Sequence, residues 1–235
     1  MTPKPRLADL FCGAGGCAKG YQRAGFYVVG VDINPQPNYC GDEFHQADAL
    51  AFDLTGFDAV HASPPCQAFT TMRVMPNAKE HPDLVDPTRK RLQSTGLPWA
   101  MENVPGAPLD VHPPSLLSDV SGVTLCGSMF GLNDGTYELR RHRLFESNVP
   151  IAQPSCRHRL PVVGFYGDHA RTRQRTVGGH RDRGGDITGN ERKLALVRDL
   201  MGIDWMQWHE ANQAIPPRYT QHIGAFLLEA LESPA

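Results

Sequence analysis

Apolar positions along the chain fall into short runs separated by glycine, proline and polar stretches. RLADLF (6–11) comes first, followed by CGAGGCAKGYQRAG, a glycine turn that gives way to helical spacing. YVVGVDI (27–33) ends on an acid, and FDAVHAS (57–63) alternates before meeting two prolines. WAMENV (99–104), VTLCGS (123–128) and RLFES (143–147) are further predicted strands, with helical or loop segments between them, 84–95 included. Strands alternating with crossovers predict an α/β fold built on a mostly parallel, doubly wound sheet. The pattern dissolves after Ser147. Residues 148–190 are rich in Arg, Gly, His and Pro, and only VVGFYG (162–167) resembles a strand. Helical periodicity returns in ERKLALVRDLMG (191–202) and IPPRYTQHIGAFLLEAL (215–231). Prolines open the second of these helices, where a missing N–H does no harm. The expected organisation is a core of 1–147, a small region of 148–190, and helices of 191–235 returning to the core.

Charge sharpens the picture of the middle region. The 235-residue chain has a net charge of −2, yet residues 155–185 hold seven arginines against two acids. That local +5 leaves −7 on the remainder. Basic charge confined to one segment is the footprint of a nucleic-acid contact. No apolar run approaches the about 20 residues that span a bilayer. The start, MTPKPRLADLF, lacks the pattern of a secretory signal. A cytoplasmic protein without membrane contact is expected. Its six cysteines should then be reduced. They form no CxxC pair, which argues against a zinc ribbon, and no metal is expected.

Two stretches carry candidate chemistry. DLFCGAGGCAKG puts Gly13, Gly15 and Gly16 between a strand and a helix, where glycine lets a ligand approach the backbone. Asp32 ends the next strand, where a carboxylate can accept ribose hydroxyls. Asp48, expected near the end of the third strand, could hydrogen-bond an adenine amino group or be a surface acid. These features point to an adenosine-containing cofactor and do not separate a nicotinamide from S-adenosylmethionine. The second stretch is HASPPCQAFT (61–70). Pro64 and Pro65 stiffen the backbone directly before Cys66. The loop leaves the carboxyl end of a strand, the edge where open α/β sheets bind ligands. A thiol held rigidly there is a candidate nucleophile.

DLFCGAGG (9–16), PPCQ (64–67), ENV (102–104), RRHR (140–143) and AIPP (214–217) occur in that order. Together they resemble the ordered motifs of the cytosine-C5 DNA methyltransferases, in a compact form like those of bacteria and phages. The resemblance covers the chain except 148–190. It implies a Rossmann-like, S-adenosylmethionine-dependent fold and a monomer that methylates C5 of cytosine in double-stranded DNA. Cys66 would add to C6 of a flipped base, making C5 an enamine carbon. Glu102 would hold or protonate N3, which requires its proton to be retained by burial. Arg141 and Arg143 match the family's R-x-R pair and would favour the thiolate. Cofactor contacts would fall on Phe11, Cys12, Gly13, Ala14, Gly15, Gly16, Asp32, Ile33, Asp48, Ala49, Pro64, Ala214 and Ile215. Region 148–190 occupies the place of the family's target-recognition region. Gln67 and Arg171, Arg173, Arg175, Arg181 and Arg183 are the expected DNA contacts, with the alternating arginines on one face of a strand.

The chain departs from the family pattern at Leu139, where Gln is usual, and at Asn212-Gln213, where Gly-Asn is usual. Other readings are an RNA (tRNA) cytosine-C5 methyltransferase, a silent DNA-binding regulator on the same fold, and a nicotinamide-dependent oxidoreductase. The last accounts for the glycine turn and not for PPCQ, ENV or RRHR. The biological role could be the modification half of a restriction system, an orphan enzyme, or masking of phage DNA.

Overall fold

The computed structural model describes residues 3–69, 81–113, 120–166, 169–173 and 185–232. Ten strands and five α-helices are defined among them. The strands are β1 (Arg6–Leu10), β2 (Tyr27–Asp32), β3 (Glu43–Gln46), β4 (Ala59–Ala62), β5 (Trp99–Asn103), β6 (Ser121–Leu125), β7 (Glu138–Leu139), β8 (Arg143–Ser147), β9 (Val162–Tyr166) and β10 (His169–Arg173). The helices are α1 (Gly16–Ala24), α2 (Val85–Ser94), α3 (Asn190–Met201), α4 (Trp208–Gln213) and α5 (Pro217–Glu232).

The main sheet has seven strands in the order β3-β2-β1-β4-β5-β8-β6. β3, β2, β1, β4 and β5 run parallel, and β8 is antiparallel to both β5 and β6. The order reverses beside β1, so the carboxyl ends of β1 and β4 flank the switch point where such sheets bind ligands. Because β8 is antiparallel to β5, its first residue, Arg143, lies at that same edge. Asn103 pairs with Leu144 and Glu102 with Phe145.

Side-chain alternation sorts the strands into two cores. On one face, Leu7, Val28 and Ala59 pack with Ala18 and Tyr21 of α1 and with Tyr219, Ile223 and Leu227 of α5. On the other, Ala8, Leu10, Val29, Val31 and Val60 pack with Val85 and Leu92 of α2. Arg89 of α2 makes a two-pronged pair with buried Glu146 of β8, Nε to Oε1 at 2.7 Å and Nη2 to Oε2 at 2.8 Å. Helices α1 and α5 touch more extensively than any other pair of helices among the described residues. Gly20 makes that approach possible: a Cβ there would stand 2.0 Å from Thr220 Oγ1 and 2.2 Å from the Pro217 carbonyl oxygen.

A second sheet, β10-β9-β7, draws on both sides of β8 in the sequence. Its core joins Leu139, Val163, Phe165 and Ala170 to Val197, Leu200 and Met201 of α3 and Ala211 of α4. α3 therefore packs on the small sheet. Leu139 is fully buried there, so an amide in its place would need a buried partner. No described helix is long and apolar enough to cross a membrane.

Candidate active site

The turn after β1 is shaped by backbone conformation. Phe11 takes φ 59°, Gly13 φ 49° and Gly15 φ 85°. Gly13 N–H donates to Asp32 Oδ2 at 3.1 Å, and Asn34 N–H donates to Asp32 Oδ1 at 2.9 Å. Asp32 thus ties the end of β2 to the glycine turn and keeps acceptor capacity, since a carboxylate offers about four lone-pair sites. Nothing lies within 4 Å of where a Gly13 side chain would begin. This open cradle, with Asp32 beside it and Ile33 67% exposed at the strand end, fits a ligand with a ribose and a flat apolar ring. Asp48 follows β3, is exposed, and accepts from Leu50 N–H, while Ala49 is buried. Cys12 and Ala14 are buried, and Trp205 Nε1 donates to the Ala14 carbonyl at 2.9 Å. Ala214 and Ile215 press against Gly16, where a Cβ would stand 2.5 Å from the Ile215 carbonyl oxygen. Gln213 is exposed at the end of α4.

Cys66 follows β4 and opens a short 3-10 turn, Gln67–Phe69, with Phe69 N–H donating to the Cys66 carbonyl at 2.9 Å. Gln67 is exposed and Pro64 is buried. Buried Asn103 donates from Nδ2 to the Pro64 carbonyl at 3.0 Å, and its Oδ1 accepts from Val104 N–H at 2.8 Å. The Asn of ENV is therefore the clamp that fixes the proline loop to β5. Glu102, its neighbour, is buried on the same strand.

Arg143 Nε lies 3.1 Å from Glu102 Oε1. The alignment is not that of a hydrogen bond, and Oε1 has no hydrogen-bond partner among the described residues. Its charge faces the Arg143 guanidinium while its hydrogen-bonding capacity is left open. Burial raises the Glu102 carboxyl above its ordinary range, opposed by Arg143, Arg141 and a hydrogen bond from Ser63. Burial also raises the Cys66 thiol; Glu102 adds to the shift, and Arg143 and Arg141 oppose it. Arg141 is buried, with Nη2 donating to the Asn212 carbonyl at 2.7 Å, and Tyr219 Oη donating to the Arg141 carbonyl at 2.8 Å. The two arginines thus differ: Arg143 faces the carboxylate, and Arg141 locks the strand start to α4 and α5.

One component escaped the sequence reading. Tyr21 Oη is 2.9 Å from His61 Nδ1, and His61 Nε2 is 2.9 Å from Ser63 Oγ, which in turn bonds Glu102. Burial holds His61 neutral, its pKa down to about 3. Alternation in AVHA points His61 toward α1; the signal available was a polar ring in a run of apolar residues. In the basic region, Arg171 is half-exposed and pairs with Asp186, Nε to Oδ1 at 2.8 Å. Arg173 ends β10, paired with Val162. Arg175, Arg181 and Arg183 lie outside the described residues.

No family model and no curated protein matches the sequence. Solved structures do. A protein from an E. coli prophage, described as a DNA modification methyltransferase, superposes with a TM-score of 0.59 at 14% identity, over 97% of this chain and 100% of its own. The Dnmt2 methyltransferase of S. pombe gives 0.57 at 14%, over 97% and 99%. The methyltransferase EhMeth of Entamoeba histolytica gives 0.59 at 11%, over 99% and 100%. The chain therefore has the Rossmann-like α/β fold that these methyltransferases share.

Proposed function

We propose that this chain is a DNA cytosine-C5 methyltransferase using S-adenosylmethionine. The observation that carries the reading is Cys66 on a clamped proline loop, sharing one edge and one electrostatic environment with buried Glu102 and Arg143. The open Gly13 cradle, Asp32 and Ile33 fit the cofactor, which when bound supplies an electrophilic methyl group. The protein's own residues prepare the acceptor. The Cys66 thiolate adds to C6, and Glu102, whose carboxyl is biased by burial toward retaining a proton, donates to N3 so that charge does not build up on the ring. C5 gains the methyl group, a base removes the C5 proton, and the C6–S bond breaks to return the thiolate. The target cytosine must leave the duplex to reach a thiol set in this edge. Ser63, His61 and Tyr21 hold Glu102 from beneath. The basic region beyond β8 would hold phosphates and base edges, Arg173 among the contacts.

DNA containing 5-fluorocytosine tests this directly, because fluorine cannot leave C5 as a proton does. Wild type with S-adenosylmethionine should give a denaturant-stable protein–DNA adduct, and Cys66→Ala should give none while still binding cofactor. An adduct on 5-fluorocytosine tRNA alone would move the substrate to RNA. No adduct and no methyl transfer on either would leave a silent binder.

A further inference from the structure

The structure assigns a second site, separate from the candidate active site: Cys126, His142, Cys156 and His158 form a closed tetrahedral site for one zinc ion. Their four ligand atoms all lie within 4.8 Å of one another. Cys126 follows β6, His142 lies between β7 and β8, and Cys156 and His158 precede β9. Cys126 Sγ is 3.6 Å from His158 Nε2, Cys156 Sγ is 3.4 Å from the same atom, and Cys156 Sγ is 3.6 Å from His142 Nε2. Zinc–sulfur bonds of about 2.3 Å and zinc–nitrogen bonds of about 2.0–2.1 Å, at tetrahedral angles, set the sulfur–nitrogen edge at about 3.5 Å. Three edges of that tetrahedron are therefore present.

Hydrogen bonding alone does not account for the arrangement. His158 Nδ1 is 2.7 Å from Glu138 Oε1, so Nδ1 carries the proton and Nε2 offers one lone pair. That lone pair faces two sulfurs. Glu138 is itself buried and also accepts from Arg159 N–H at 3.1 Å. A carboxylate behind a ligating histidine fixes its tautomer and raises its basicity, the usual outer support of a zinc ligand. Two thiolates and two neutral imidazoles leave the bound divalent ion electrically balanced. With four protein ligands the ion has no open position for water, so its role is structural. The expectation of no metal rested on the missing CxxC pair; here the ligands come from three segments, and only the short C-x-H of 156–158 hints at them.

The ion would fasten the stretch before β9 to the end of β6 and to RRHR. His142 stands between Arg141 and Arg143, so the site would hold the backbone that presents both arginines. The assignment does not depend on the methyl-transfer reading.

The test uses the full chain, untagged and purified without chelator. Metal analysis should find about one zinc per chain, falling below about a tenth in Cys156→Ser and His158→Gln, and unchanged in Cys40→Ser. Replacing zinc with cobalt in the wild-type protein should give intense visible absorption from tetrahedral geometry and a sulfur-to-cobalt charge-transfer band, a readout that needs no variant to fold. Zinc below about a tenth in wild type with no cobalt bands would overturn the assignment. So would zinc retained by both variants, or a Cys126–Cys156 disulfide detected by mass in the freshly purified protein.

Discussion

Burial acts on both Cys66 and Glu102, and Glu102 acts in turn on Cys66. Each is raised by desolvation, and the carboxylate raises the thiol further, while Arg143 lowers both. Both groups are pushed toward their neutral forms, and the proposed chemistry calls for a negative charge on sulfur. Glu102→Gln removes the group that raises the Cys66 thiol and that is proposed to donate to N3. Its thiol should react faster with iodoacetamide at pH 8, while methyl transfer falls by about 100-fold or more, the usual worth of a general acid. Arg143→Gln should slow the same alkylation. Opposite directions from two neighbours of one thiol would separate electrostatic control from simple loss of folding. Much at this scale was legible. Prolines beside Cys66 and the acid closing YVVGVD announce their positions, because rigidity and strand ends are written locally. The Tyr21–His61–Ser63 relay was not, since its three groups come from α1, β4 and the loop beyond it, and meet only when the helix lies on the sheet.

Elements follow the same division. The long apolar strands were visible as runs because they are buried on both faces. β3, EFHQ, is a four-residue strand with no branched apolar residue, and β7 has two residues; neither produces a pattern. The direction of β8 could not be read either, because a run of side chains has no sense until it pairs. The α1–α5 contact is where an element depends most on one position. Gly20→Ala places a methyl group against Thr220 Oγ1 and the Pro217 carbonyl, with backbone on one side that cannot rotate away. Unfolding by urea should show a loss of about 1–3 kcal/mol, the ordinary cost of overpacking. Leu139 shows how a departure from a family pattern can be structural: it belongs to the core of the second sheet.

At the scale of the whole molecule, buried ionisable groups set how stability varies with pH. Burial lifts Asp9 from 3.8 to about 8, with the Ala18 amide and Asp32 as smaller influences. The unfolded chain ionises this acid near pH 4, while the folded chain keeps its proton, so its contribution is lost as pH rises toward about 8. His61, held down at about 3 from 6.5, acts oppositely and only below about pH 6.5. The two offset each other in acid, and Asp9 stands unopposed by His61 from about pH 6.5 to 8. Urea titrations at those two pH values should differ by about 2 kcal/mol, at about 1.4 kcal/mol per pH unit, with Asp9→Asn removing the difference. Size also has a temporal consequence. Thr220 Oγ1 of α5 donates to the Cys17 carbonyl of α1 across 203 residues. At about 5–20 residues per second, a ribosome takes about 10–40 s to synthesise that interval. For that time the face of α1 that α5 covers in the folded chain has no partner from α5. Burial of that face waits until translation has delivered α5, so the helix beside the first glycine turn is completed by a segment made about 200 residues later.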